Sequence, residues 1–183
     1  MILYIHGFQS CGWGNKSRAL QEFFGDVVAP DLPPSPLQAI KELEKLLKSE
    51  PIDLMVGSSL GGYYATYLAQ KFSIKAVLIN PSTRPYETLK PYIGECERFC
   101  DGAKFEWKKE YIQELLKLDT TNLKKGLFLV LLQTEDEILD YRIALKKFYN
   151  QRCIVEYGGN HRFENITDYL CMIKNFRGSD GGH

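Results

Sequence analysis

Six short runs of β-branched and other apolar residues recur along the chain: Ile2–Ile5, Val27–Ala29, Leu54–Val56, Ala76–Ile79, Leu127–Leu132 and Cys153–Tyr157. Near-continuous apolar runs of this length are the pattern of strands buried on both faces. Between them, Lys16–Phe24, Leu37–Lys48, Leu60–Phe72, Tyr141–Tyr149 and Ile166–Phe176 carry apolar residues three and four apart, the spacing of a single helix face. Strands buried on both sides and alternating with amphipathic helices require a parallel sheet with crossover helices above and below it. The pattern therefore predicts an α/β fold with a mainly parallel sheet of about six strands.

One stretch breaks this rhythm. Pro81–Lys125 is far longer than the roughly two to six residues of an ordinary helix-to-strand connection, and it holds Pro85, Pro91, Gly94 and several aromatics. It is expected to form a partly helical cap of a single domain spanning 1–177. The glycine-rich end, 178–183, is expected to fray. A chain of 183 residues is long enough to bury such a core without disulfides or a structural metal.

Charge narrows the class of partner. The 23 basic and 23 acidic residues cancel, and no Lys/Arg block gathers on any stretch, so nothing favours nucleic acid or an anionic membrane surface. The apolar start lacks the basic flank of a secretion signal, and no later apolar run is long enough to insert in a membrane. Five cysteines, Cys11, Cys96, Cys100, Cys153 and Cys171, are an odd number at irregular spacing, which points to a reducing, cytoplasmic setting rather than a disulfide framework. Cys96 and Cys100 would share one face of a helix, but two thiolates with no neighbouring His do not make a zinc site. No metal or other cofactor is expected.

The chemistry begins after the third apolar run, where Gly57-Ser58-Ser59-Leu60-Gly61 matches the G-x-S-x-G turn that lifts a nucleophilic serine between strand and helix. Small residues must flank that serine because the turn leaves no room for a Cβ. Centring the motif on Ser58 instead would put Val56 and Leu60 where glycines belong. Ser59 is therefore the expected nucleophile, with the Leu60 N–H and the positive end of the following helix available to a developing oxyanion. The plain alternative is a glycine-rich turn whose serine caps a helix.

A serine nucleophile needs a neutral imidazole within hydrogen-bond reach. His183 is terminal and His6 precedes the serine in another loop, which leaves His161, reached from the last strand through Gly158-Gly159-Asn160. The fifth apolar run leads into Gln133-Thr134-Glu135-Asp136-Glu137, between Ser59 and His161 in chain order, the order in which α/β-hydrolases place their acid. Asp136 is the preferred acid, with Glu135, Glu137 and Asp140 as alternatives and Asp140 also suited to capping the next helix. At the end of the first run, Gly7 allows close backbone approach and the Phe8 N–H can complete an oxyanion hole with Leu60. His6 is read as a brace for that turn.

These segments resemble the small YqiA/YcfP-type esterase family. The resemblance is carried by Leu3-Tyr4-Ile5-His6-Gly7-Phe8, Pro30-Asp31-Leu32-Pro33-Pro34-Ser35-Pro36, Gly57 through Tyr64, Ala76 through Glu87, Asp136-Glu137-Ile138-Leu139-Asp140-Tyr141 and His161-Arg162-Phe163-Glu164. It runs nearly end to end, departing at Cys11–Gly14 and across Cys96–Trp107. It implies a minimal α/β-hydrolase fold that begins at the fold's third strand, and serine esterase activity through Ser59, Asp136 and His161.

The expected function is hydrolysis of esters or thioesters of small or accessible acyl groups. The rival from another class is a binding or scaffold protein of the same fold whose triad is idle. A nucleotide enzyme is not supported: Asn15 stands where a phosphate-binding loop needs glycine before Lys16, and no G-x-G-x-x-G follows a strand. Trp13, Tyr63, Tyr64, Tyr86, Tyr92 and Phe99 are candidates for an apolar acyl pocket. Arg84 is expected to pair with Glu87 rather than with substrate.

Overall fold

A computed structural model describes residues 1–179. The six apolar runs form β1 (Ile2–Ile5), β2 (Val27–Val28), β3 (Leu54–Ser58), β4 (Lys75–Ile79), β7 (Phe128–Gln133) and β8 (Arg152–Glu156). They pair in the order β2-β1-β3-β4-β7-β8, and every pairing is parallel. The crossover helices are α1 (Asn15–Phe24), α2 (Pro36–Ser49), α3 (Leu60–Phe72), α6 (Tyr141–Lys147) and α7 (Leu170–Gly178), the last preceded by a 3₁₀ turn over Ile166–Tyr169.

Alternate strand residues feed two separate cores. Leu3, Ile5, Met55, Leu78, Val130 and Leu132 pack with Leu43 of α2 and with Tyr64 and Leu68 of α3. Ile2, Tyr4, Val56, Val77, Ile79 and Leu131 pack on the other face with Leu20 of α1 and with Leu170, Ile173 and Phe176 of α7. The sheet is thus covered on both sides, the physical reason its strands read as unbroken apolar runs.

The strand order sets where a site can lie. The chain leaves β1 toward β2 on one side, and leaves β3 toward β4 on the other. Loops that diverge in this way open a crevice at the carboxyl ends of the two strands. The loop His6–Phe8 follows β1 and the turn at Ser59 follows β3, so the two meet at that crevice.

The segment 81–125 is less helical than expected. It holds two short turns of helix, α4 (Pro85–Thr88) and a 3₁₀ turn at Lys90–Tyr92, then an antiparallel hairpin of β5 (Gly94–Glu97) and β6 (Lys104–Trp107), then α5 (Lys109–Leu116). Cys96 is therefore on a strand, and it does not share a helix face with Cys100. Cys100 is disulfide-bonded to Cys11, with the two Cα atoms 6.2 Å apart, while Cys96, Cys153 and Cys171 are free. The sequence signal failed because the partners lie 89 residues apart and are joined only by the folding of the hairpin onto the β1 loop. No helix among the described residues is long and apolar enough to cross a membrane. Helix α7 continues through Gly178, and positions 180–183 of the tail expected to fray, His183 among them, lie outside the described residues.

Candidate active site

A single residue, Ser59, turns the chain from β3 into α3. Ser59 sits at φ 54° and ψ −118°, a left-handed conformation that costs a non-glycine residue about 1–3 kcal/mol. The surroundings hold it there. The Ser59 amide donates to Ile79 O at 3.0 Å, and its carbonyl accepts from Gly62 N at 2.9 Å and Ser82 N at 3.0 Å. A Cβ on Gly57 would lie 2.4 Å from Gly61 O, and one on Gly61 would lie 2.0 Å from Ile5 O. Both glycines are demanded by backbone-to-backbone approach, which is why the five-residue pattern is legible. Ser58 is buried within β3 and is not the residue the turn presents.

Ser59 Oγ lies 3.0 Å from His161 Nε2, and His161 Nδ1 lies 2.9 and 2.8 Å from the two carboxylate oxygens of Asp136. A carboxylate accepts, so the imidazole proton belongs on Nδ1 and Nε2 is left to accept from the serine hydroxyl. The Asp136 side chain is 2% exposed, and its Oδ1 also accepts from the amides of Ile138 at 2.9 Å and Leu139 at 2.8 Å. The structure thus brings together all three residues singled out from sequence.

The competing acids have other partners. Glu137 accepts from the His161 amide through Oε2 at 2.9 Å, which fixes the main chain of the histidine and lowers the carboxyl's affinity for a proton. Asp140 caps α6 by accepting from Arg142 N at 3.0 Å and pairs with the Arg142 guanidinium. Glu135 is exposed, and its amide donates to Gly158 O at 3.1 Å.

Two buried residues that the sequence analysis did not single out hold this arrangement. Asn80, at φ 39° just past β4, is 2% exposed. Its side chain accepts from Gln133 N at 3.0 Å and donates to Asn160 O at 3.0 Å, with His161 O at 3.4 Å. Gln133, at the end of β7, accepts from Asn160 N at 3.0 Å and donates to Asn165 Oδ1 at 2.8 Å. Together they tie the ends of β4 and β7 to the loop carrying His161. The available signal was an Asn beyond an apolar run, since Asn tolerates left-handed backbone better than most residues.

On the β1 side, His6 accepts from Leu32 N through Nε2 at 3.0 Å, so its Nδ1 carries the proton and donates to Gly7 O at 2.8 Å. Burial lowers its pKa, consistent with a neutral ring that braces the loop. A Cβ on Gly7 would stand 3.1 Å from Ser59 Cβ, so the loop backbone runs directly against the serine. The Phe8 amide lies in this loop and the Leu60 amide is the first of α3, where a helix offers its N–H no internal partner.

Beside Ser59 opens a cavity of about 230 Å³, lined by Gly7, Phe8, Leu32, Leu60, Tyr64, Phe105 and Trp107 among others. Of the six aromatics expected to line an acyl pocket, Tyr64 alone does so. Tyr63 turns into the core and donates to Leu115 O at 2.8 Å, Tyr86 reaches Asp119, and Tyr92 packs edge-on to Phe8. Trp13 and Phe99 are exposed. The wall comes instead from the hairpin and the β1 loop, where Phe8 meets Phe105 and Trp107 edge-to-face. Arg84 stands 3.7 Å from Glu87, as expected. The cluster of metal-ligating residue types at Cys11, Cys100 and Asp101 offers no free thiolate, because the two sulfurs are bonded and Asp101 pairs with Arg98.

The chain matches the family model of the uncharacterised protein family UPF0227 over residues 1–178. It is 32% identical over 194 aligned positions to the UPF0227 protein YcfP of Salmonella paratyphi A, covering 97% of this chain and 98% of that protein. Identity to a UPF0227 protein of Citrobacter koseri is 31%, with the same coverage. Among solved structures, a putative hydrolase from Agrobacterium vitis superposes with a TM-score of 0.80 at 15% identity, covering 96% of this chain and 87% of that one. Est1E from Butyrivibrio proteoclasticus, solved with ferulic acid bound, superposes with a TM-score of 0.73 at 16% identity, covering 96% and 88%. The mouse α/β hydrolase domain-containing protein 10 gives 0.73 at 18% identity, covering 95% and 88%. The fold is that of the α/β-hydrolase superfamily, and the chain belongs to the UPF0227 family.

Proposed function

We propose that the protein is a serine hydrolase that cleaves carboxylic esters or thioesters through an acyl-enzyme. The observation that carries this reading is the unbroken line from Ser59 Oγ to His161 Nε2 at 3.0 Å and from His161 Nδ1 to Asp136 at 2.8 Å. Structural likeness to proteins described as a putative hydrolase and as an esterase domain supports it.

In this reading, Ser59 Oγ attacks the substrate carbonyl carbon as its proton passes to His161 Nε2, while Asp136 accepts from Nδ1–H and stabilises the imidazolium. The carbonyl oxygen becomes an oxyanion held by the amides of Phe8 and Leu60. Collapse of the adduct breaks the ester bond, and His161 returns the proton to the departing alcohol or thiol. Water, giving a proton to His161, then attacks the acyl carbon, releases the acid and restores the Ser59 hydroxyl. Gly57, Gly61 and Gly7 take no part in bond making, and serve by letting the backbones close around the serine.

A fluorophosphonate probe tests this directly, because only an activated serine reacts at useful rates. Labelling of the wild type that Ser59→Ala abolishes is the expected result, together with a fall in ester turnover of about ten-thousandfold or more. Unlabelled wild-type protein at neutral pH, or full turnover by pure Ser59→Ala protein, overturns the proposal and leaves a scaffold of hydrolase fold.

A further inference from the structure

Two adjacent tyrosines on α3 meet different fates. Tyr63 is 2% exposed and satisfies its hydroxyl on Leu115 O at 2.8 Å, as a buried tyrosine ordinarily does. Tyr64 is 3% exposed, lines the cavity beside Ser59, and has no hydrogen-bond partner among the described residues. Burial, and then the nearby Glu114 carboxylate, push its pKa far above the ordinary value, so it remains a neutral phenol able to donate.

The rest of the cavity limits what can meet that phenol. At about 230 Å³ it is smaller than the roughly 300–1,000 Å³ of sites for drug-sized ligands. Its walls are mainly apolar, from Phe8, Leu32, Leu60, Phe105 and Trp107. The two cations at its edge are already neutralised: Arg98 by Asp101 and Asp31, and Lys104 by Glu95 at 2.8 Å. Both nitrogens of His6 are occupied. The donors left over, the Tyr64 hydroxyl and the unpartnered Trp107 indole N–H, are both uncharged, so no free cation among the described residues compensates the desolvation of an anionic ligand.

Building on the hydrolase reading, we propose that this cavity receives the acyl group, and that it selects a small, uncharged acyl chain carrying one hydrogen-bond acceptor for the Tyr64 hydroxyl. Tyr64 is then the residue that determines acyl specificity, while Phe105 and Trp107 bound its size.

The test uses p-nitrophenyl esters in isosteric pairs: 4-oxopentanoate, 5-oxohexanoate and 6-oxoheptanoate, each beside the acyl chain with a methyl branch in place of the keto oxygen. Wild-type kcat/KM, corrected for spontaneous hydrolysis, should favour the keto member by about two- to tenfold at the chain length that spans the cavity. Tyr64→Phe should bring that ratio close to one. A ratio that Tyr64→Phe leaves unchanged, or no keto preference at any length, overturns the assignment. Calorimetric titration of Ser59→Ala protein with the same esters, with and without Tyr64→Phe, reads the cavity even where turnover fails. Keto-selective binding lost with the hydroxyl supports the pocket although the hydrolase reading falls; binding without that selectivity, or no binding, refutes the pocket.

Discussion

The β3–α3 turn and the β5–β6 hairpin face each other across the cavity, and they are held by opposite means. The turn is fixed by backbone: Gly57 and Gly61 close on Gly61 O and Ile5 O, and Ser59 is bonded to β4 through Ile79 O. The hairpin is two strands of four residues, exposed at Glu95, Glu97, Lys104 and Glu106 and turning Cys96 and Trp107 inward, and two strands alone are marginal in isolation. It relies on attachments to the β1 loop. Phe99 N donates to Gln9 O at 2.8 Å, Gln9 Nε2 donates to Glu97 O at 3.1 Å, and Cys100 is bonded to Cys11. Phe8 carries Phe105 and Trp107 on its edges. On the proposed reading the difference separates two jobs: chemistry would sit where the main chain leaves no freedom, and selection of the acyl group on a wall joined to it at a few points.

Substitutions can break or sharpen that division, beginning with the largest effect. Asp136→Asn keeps the shape of the buried side chain but supplies a donor where His161 needs an acceptor, so kcat should fall about ten-thousandfold with little change in the melting temperature. Turnover near the wild-type level would mean that another carboxylate, Glu137 first among them, serves the histidine. Cys100→Ser removes a cross-link between residues 89 apart and should cost about 2–4 kcal/mol in denaturant unfolding. On the division above, its kinetic effect falls on KM for the acyl group more than on kcat. An equal loss in both would show that the staple also positions the Phe8 amide.

Asn80→Ala leaves the buried Gln133 amide without an acceptor and releases the His161 loop, at a cost of about 1–3 kcal/mol in stability. Here kcat should fall while KM holds, the reverse of the Cys100 variant, and parallel changes would merge two regions that the geometry keeps apart.

The smallest effect concerns Lys16 on α1, whose pKa burial, assisted by Arg162, lowers to about 8. A lysine whose folded pKa lies below its unfolded one is a cost while the ammonium is charged in the folded state. That cost is present below pH 8 and fades as pH rises toward 10.5, because the unfolded chain binds more protons across that window. Lys16→Met should therefore raise stability by up to about 1 kcal/mol near pH 7, with the gain shrinking above pH 8. A gain that is independent of pH would assign the effect to packing. Turnover should be unaffected, since Lys16 is not among the residues bonded to Ser59, His161 or Asp136.

How much of this was legible along the chain depended on the distance over which each residue's role is decided. Ser59 could be read because its place on the turn is decided within five residues, by glycines that the local backbone requires. His161 and Asp136 followed from where strands end, since a parallel sheet gathers the loops after its strands at one rim. Asp136 was preferred over Glu137 and Asp140 but not separated from them in that way, because a cap, a brace and an acid are all carboxylates that differ in their partners. The lining of the cavity was not legible for a related reason: Tyr63 and Tyr64 are neighbours in sequence, yet only Tyr64 lines the cavity while Tyr63 donates to Leu115 O in the core.

The sequence by itself determined the alternation of strand and helix, the parallel sheet and the glycine-flanked turn at Ser59, all of which rest on periodicity and on steric demands between near neighbours. Only the tertiary structure decided the hairpin, the Cys11–Cys100 bond, the Asn80 and Gln133 bridges and the Tyr64 cavity. Those features are pairings across tens of residues, and a contact of that range leaves no periodic trace in the chain because it is selected by the packed sheet rather than by local conformation.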